Sequence, residues 1–96
     1  MADGYEPRPS NLYVENIAQS TFTWSEINKR FDREYYMPTG YSLVGAVVYS
    51  TNGAALMNIY YNETSHTLSV LGYIPKTDTP IESNYQFECN LLFISN

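Results

Sequence analysis

"MPTGYSLVGAVVYSTNGAALMNIYYN", residues 37–62, holds two apolar runs separated by Thr51-Asn52-Gly53. In both runs the side chains alternate with period two, the spacing of a strand rather than a helix. Asn and Gly accept positive φ at little cost, so the separator reads as a hairpin turn. In the second run Met57, Ile59 and Tyr61 oppose Asn58 and Tyr60, giving one core face and one wet face. The first run behaves differently. Leu43, Gly45, Val47 and Tyr49 form one row, and Val44, Ala46 and Val48 form a second apolar row. A strand apolar on both sides must be covered on both sides. The domain core covers one side; a helix of the same chain or another copy of the chain covers the other. Val44, Ala46 and Val48 are therefore the candidate oligomer interface.

Working outward, "TLSVLGY" (67–73) and "NYQFECNLLFIS" (84–95) continue the period of two. In the latter Tyr85, Phe87, Cys89, Leu91 and Phe93 share a core side, while Gln86, Glu88 and Asn90 share a wet one. "LYVENI" (12–17) alternates more weakly. The polar turn "NETSHT" (62–67) and the loop "IPKTDTPIES" (74–83) separate these strands, Pro75 and Pro80 preventing strand continuation. Only "TFTWSEINKRFDREYY" (21–36) changes period. Thr23 followed by Glu26 fits a capping box, and Trp24, Ile27, Phe31 and Tyr35 make a helical stripe. The spacing predicts a short α-helix over 24–34, ended by Pro38. Residues 1–11, with two prolines, a glycine and mixed charges, read as a flexible leader or linker. The expected organisation is one mainly β domain over residues 12–96, an antiparallel β-sandwich of jelly-roll-like kind with one short helix.

Ninety-six residues make one domain with little stability to spare, so contacts with other copies would be a welcome addition. The net charge is −5 with five basic residues in all, which leaves no electrostatic footprint for nucleic acid. Lys29, Arg30 and Arg33 cluster, but Glu26, Asp32 and Glu34 interleave with them as on a solvated face. No run approaches the roughly 18 apolar residues that span a bilayer, and no signal peptide is legible. Membrane insertion is not expected, and synthesis in a cytoplasm is.

Catalysis needs a positioned His, Cys, Lys or carboxylate pair. The one histidine, His66, sits in a polar turn, and the one cysteine, Cys89, alternates with Phe87 and Leu91 as a packed thiol. One His and one Cys make no structural zinc site, and Gly40 and Gly45 fit no phosphate loop. No catalytic residue, metal or cofactor is expected. Charge is low, at 16%, and ten residues are tyrosine. That composition suits a contact surface, and it equally suits tyrosines packed within strands. Tyr60, Asn62, His66 and Tyr73 fall on or beside the polar-turn ends of neighbouring strands. Aromatic faces beside amide and hydroxyl groups suit sugars, so these four are the candidate ligand-binding residues.

Pro38-Thr39-Gly40-Tyr41-Ser42-Leu43-Val44-Gly45, then an Asn-Gly turn, then the closing "YQFECNLLFIS", resemble the small C-terminal β-sandwich modules of bacteriophage tail-fibre, baseplate and virion-decoration proteins. The resemblance covers about residues 37–96 and is one of apolar positions and turns. It implies a non-enzymatic virion component, trimeric, in contact with other virion proteins and able to bind host surface polysaccharide. The alternative is a free-standing bacterial carbohydrate-binding, lectin-like module.

Overall fold

A computed structural model describes residues 11–96. Eight strands form two antiparallel sheets: β1 (Leu12–Asn16), β2 (Thr23–Ser25), β3 (Arg30–Glu34), β4 (Tyr41–Ser50), β5 (Leu56–Asn62), β6 (Thr67–Ile74), β7 (Thr79–Pro80) and β8 (Phe87–Ser95). One sheet has the order β1-β8-β4; the other runs β2-β3-β6-β5, with β7 pairing the end of β6. They pack face to face as a β-sandwich, as expected. The inner side of β8 supplies Phe87, Cys89, Leu91 and Phe93, and the second sheet supplies Phe31, Leu68 and Val70, all buried. Ile17, Phe22, Tyr35 and Ile81 close the same core. The row assigned from alternation in β8 is the buried row, as is the assignment in β5, where Tyr60 is exposed and Tyr61 packs inward. The leader expected over residues 1–11 lies, Asn11 apart, outside the described residues.

The predicted α-helix over 24–34 is absent; β2 and β3 form a hairpin there, and the only helical turn between β1 and β3 is a 3-10 turn at Gln19–Thr21. A hairpin with a four-residue turn explains the same sequence. It sets Trp24 opposite Phe31, with their rings 4.9 Å apart edge to face. Ile27 then falls at the tip, 93% exposed, where the helical stripe needed it buried. Glu26 does not cap: its carboxylate accepts the Trp24 Nε1–H at 2.9 Å and pairs with Lys29. The turns after β5 and β6 are built alike, four residues closed by a non-glycine residue at positive φ: Lys29 (53°), His66 (52°) and Asp78 (59°).

The doubly apolar look of β4 comes from a bulge. Leu43 pairs with Phe93 and Gly45 with Leu92, so Val44 is an extra residue facing no partner. A one-residue slip flips every side chain beyond it. Before the bulge Tyr41 and Leu43 point inward; after it Ala46, Val48 and Ser50 lie on the inner side, opposite Leu91, Cys89 and Phe87. Gly45, Val47 and Tyr49 take the outer side. Val44, Ala46 and Val48 thus share no common face, which corrects the expected interface row: Val48 packs on the core, and Val44 is exposed at the bulge.

Thr51-Asn52-Gly53 does not close a hairpin either, because β4 and β5 belong to different sheets. Asn52 spends its amide on the segment leading into β8, donating to the Asn84 carbonyl at 3.1 Å and accepting from the Gln86 N–H at 2.8 Å. This pins the corner between sheets. Pro80 also differs from expectation. It stands in the two-residue β7 opposite Tyr73, and the following Ile81 N–H donates to the Gly72 carbonyl at 3.1 Å. A residue at a sheet edge can lack its own N–H.

Candidate functional site

Three surfaces bear on function. The first is the outer side of the larger sheet. Alternation turns Leu56, Asn58, Tyr60 and Asn62 of β5 outward, beside Tyr73, Leu71, Ser69 and Thr67 of β6. Tyr60, Asn62 and Tyr73 of the expected ligand set therefore share this face. Tyr60 pairs with Ser69, so Tyr73 stands four residues, roughly 13 Å, further along β6. Much of the polar chemistry here is already committed. The Asn62 side-chain oxygen accepts the Thr64 and Ser65 N–H groups at 2.9 and 3.2 Å, shaping its own turn. Asp32 accepts from Arg30 Nε at 2.9 Å and from Ser69 Oγ at 2.6 Å.

His66 is not part of that face. It lines a cleft of about 730 Å³ at one end of the sandwich, where the segment between β3 and β4, the start of β4, and the turn after β5 meet. Met37 and Leu43 give it an apolar floor, Tyr36, Tyr41, Tyr61 and His66 its walls, and Ser42 and Glu63 polar groups. The imidazole stacks on the Tyr36 ring with centroids 4.3 Å apart. Tyr61 Oη donates to the Tyr35 carbonyl at 2.9 Å and lies 3.3 Å from His66 Nδ1. The Tyr36 phenol is raised above its ordinary pKa, chiefly because it donates to Glu34 at 3.1 Å. Beneath the cleft Tyr35 donates to Glu15 at 2.6 Å, and burial together with that bond holds its phenol well above the usual range. Sequence reasoning placed His66 correctly in a turn but missed Tyr36, Tyr41 and Met37. The run Tyr35-Tyr36-Met37 ahead of Pro38 was the available signal, but it follows the helix expected over 24–34, and only Tyr35 was given a place there, on the helical stripe.

The third surface is the outer side of the smaller sheet. Register sets Leu12 beside Ile94, Val14 beside Leu92, Leu92 beside Gly45, and Asn16 beside Asn90. Leu12, Val14, Val44, Val47, Tyr49 and Ile94 are all exposed on it, Val14 at 60% and Val47 at 58%. Glu88 is the one charged side chain of this row, opposite Tyr49. Asn16 Nδ2 donates to Asn90 Oδ1 at 3.1 Å across the middle. Contiguous exposed apolar rows of this kind mark contact surfaces.

Cys89 is fully buried, and burial pushes its thiol up to about 11, so it presents no thiolate at neutral pH. Among the described residues no three His, Cys, Asp or Glu side chains cluster as metal ligands, and no helix is long and apolar enough to cross a membrane. Comparison of the chain with protein-family models, curated proteins and solved structures gives no match.

Proposed function

We propose that this chain is a non-enzymatic structural or attachment module of a bacteriophage particle, working as a trimer and joined to its own copies through the outer face of β1, β8 and β4. One observation carries the reading: among the described residues that face exposes six large apolar side chains around a single carboxylate, Glu88. A partner held by charge has almost nothing to grip there. Copies that turn this neutral face towards a common axis bury neighbouring parts of it against one another, and a contact of that heterologous kind closes into a ring. The phage assignment draws on the resemblance of residues 37–96 to virion modules, and host surface polysaccharide is the ligand that such a module would meet. Mass spectrometry of purified phage particles from a host carrying this gene tests it. Detection in stoichiometric copy with the other particle proteins is expected; absence from particles that contain all other structural proteins overturns it.

The second reading, a free-standing bacterial lectin-like module, is favoured by the aromatic cleft around His66. Its mark is saccharide binding by a chain that is secreted or cell-bound and never packaged.

A further inference from the structure

We propose that the trough over β6 between Tyr60 and Arg30 binds a neutral sugar, the Tyr60 ring forming its apolar wall and the Arg30 guanidinium and Asn62 amide donating to sugar hydroxyls. The proposal rests on the attachment reading for its class of ligand and deepens it by naming the site. The trough lies on the outer side of the larger sheet. The face assigned to self-association is the outer side of the other sheet, so the trough stays open in the assembled particle.

Strand register builds the site. Tyr60 of β5 and Asp32 of β3 both pair with Ser69 of β6, so the three stand on one rung and turn outward together. Arg30 starts two residues before Asp32 on the same side of β3. Its Nε–H donates to both Asp32 oxygens, at 2.9 and 3.2 Å. That bond lays the side chain along β3 and sets the guanidinium across β6 from Tyr60. Neighbouring strands lie about 4.8 Å apart, so the two walls rise from bases roughly 10 Å apart, room for one pyranose ring. Arg30, Tyr60, Asn62, Thr67, Ser69 and Leu71 all line a single cavity of about 400 Å³ there, so one ligand touches both walls.

The bonds already made within the site fix what is left to offer. Arg30 has spent its Nε hydrogen on Asp32, and its two Nη groups, without a partner among the described residues, remain as donors on a held plane. Ser69 Oγ gives its hydrogen to Asp32 at 2.6 Å, which leaves its lone pairs to accept a sugar hydroxyl. Asn62 Oδ1 is held by the Thr64 and Ser65 N–H groups, so Nδ2 is a donor of fixed direction. Groups oriented before the ligand arrives lose little freedom on binding it. Tyr60 is 56% exposed, and among the described residues no aromatic ring packs on it. Charge then selects the ligand. Asp32 neutralises Arg30, and Glu34, the next outward residue of β3, stands opposite Thr67. An anion would meet carboxylates as well as the guanidinium. A neutral ring bearing hydroxyls matches both the aromatic wall and the polar groups.

The test is a nitrogen-15 NMR titration of the whole chain with glucose, galactose, N-acetylglucosamine and sulfate in turn. A shallow, open trough binds a single sugar ring with a Kd of order millimolar. At least one of the three sugars is expected to shift the signals of residues 30, 60, 62 and 67–71. Tyr60→Ala removes the apolar wall, and Arg30→Lys keeps the charge while losing the planar fork. Each is expected to weaken that binding about tenfold, with melting curves close to the parent's. A parent-like Kd in either variant, a response to sulfate alone, shifts confined to residues 36–42 and 63–66, or no response to any probe at about ten times the expected Kd would each overturn the proposal. The outcome is independent of particle membership and oligomeric state, because a monomer outside any virion can be titrated in the same way.

Discussion

Deleting Val44 should leave the domain folded, an unusual expectation for a residue in the middle of a ten-residue strand. Val44 is the unpaired residue of the β4 bulge, lying between Leu43, opposite Phe93, and Gly45, opposite Leu92. Without it those two pairs become consecutive rungs of a regular antiparallel ladder, and no side chain changes face. Val44 is 54% exposed, so little apolar burial is lost. A restored rung contributes about 1 kcal/mol against a similar cost for adjusting the local twist, leaving the net within about 1 kcal/mol of the parent. Deleting Asn90 from β8 has the opposite consequence. No bulge there can absorb the change, and either Phe87 with Cys89 or Leu91 with Phe93 must turn outward. All four are buried. Exposing a pair such as Leu91 and Phe93 costs about 1.5–3 kcal/mol per side chain, a large part of the stability of a small domain. Urea unfolding of the two deletion variants beside the parent measures both. A loss above about 3 kcal/mol for the Val44 deletion, or a parent-like midpoint for the Asn90 deletion, would refute the bulge and the face assignment built on it.

Other perturbations have equally definite outcomes. Gln19 bridges the chain into β8, donating to the Tyr85 carbonyl and accepting from the Phe87 N–H, both at 2.9 Å; Gln19→Ala should cost about 2 kcal/mol in chemical unfolding, about 1 for each bond. Tyr61→Ala should cost about 2–4 kcal/mol as a core aromatic truncation, and Tyr60→Ala, on the exposed face, less than about 1, as parallel melting curves would show. The fold holds Cys89 as the neutral thiol, with its pKa raised by burial from 9.0 to about 11. Its contribution to stability is therefore complete below pH 9 and is lost as pH rises towards 11, and Tyr35, raised for the same first reason, extends that loss to higher pH. Unfolding midpoints measured from pH 8 upward should fall accordingly, and native Cys89 should resist alkylation at pH 8.

What the sequence disclosed follows from which interactions are local. Strands β5 and β8 keep strict alternation over their whole length, so inward and outward rows were legible residue by residue. Strand β4 was not, because nothing in Leu43-Val44-Gly45 announces which residue will lack a partner; the bulge is decided by pairing with Phe93 and Leu92, some fifty positions away. The hairpin over 23–34 was misread because Trp24, Ile27 and Phe31 suit a helical stripe and a four-residue turn equally. Burial against Phe87, whose ring centre lies 5.2 Å from that of Phe31, settles the choice. Asn52-Gly53 is good turn chemistry put to another use, with its amide bonds made to residues 84–86. The same limit applied to function. Tyr60, Asn62 and Tyr73 were grouped by their nearness to strand ends; they share a face, with Tyr73 at the far end of β6 from Asn62, and His66 was joined to them only by its nearness in sequence. Its real neighbours, Tyr36 and Tyr61, are brought to it by the pairing of β3 and β5 on either side of β6.

The central claim, that the outer face of β1, β8 and β4 joins copies of this chain, is tested most directly by light-scattering mass after size exclusion at tens of micromolar, on the parent and on Val47→Asp. Val47 is 58% exposed and faces away from the core, so the added charge leaves the fold intact while placing a carboxylate in an apolar contact. The account predicts three chains per particle for the parent and one for the variant. A parent that runs as a monomer, or a variant that keeps the parent's mass, would contradict it.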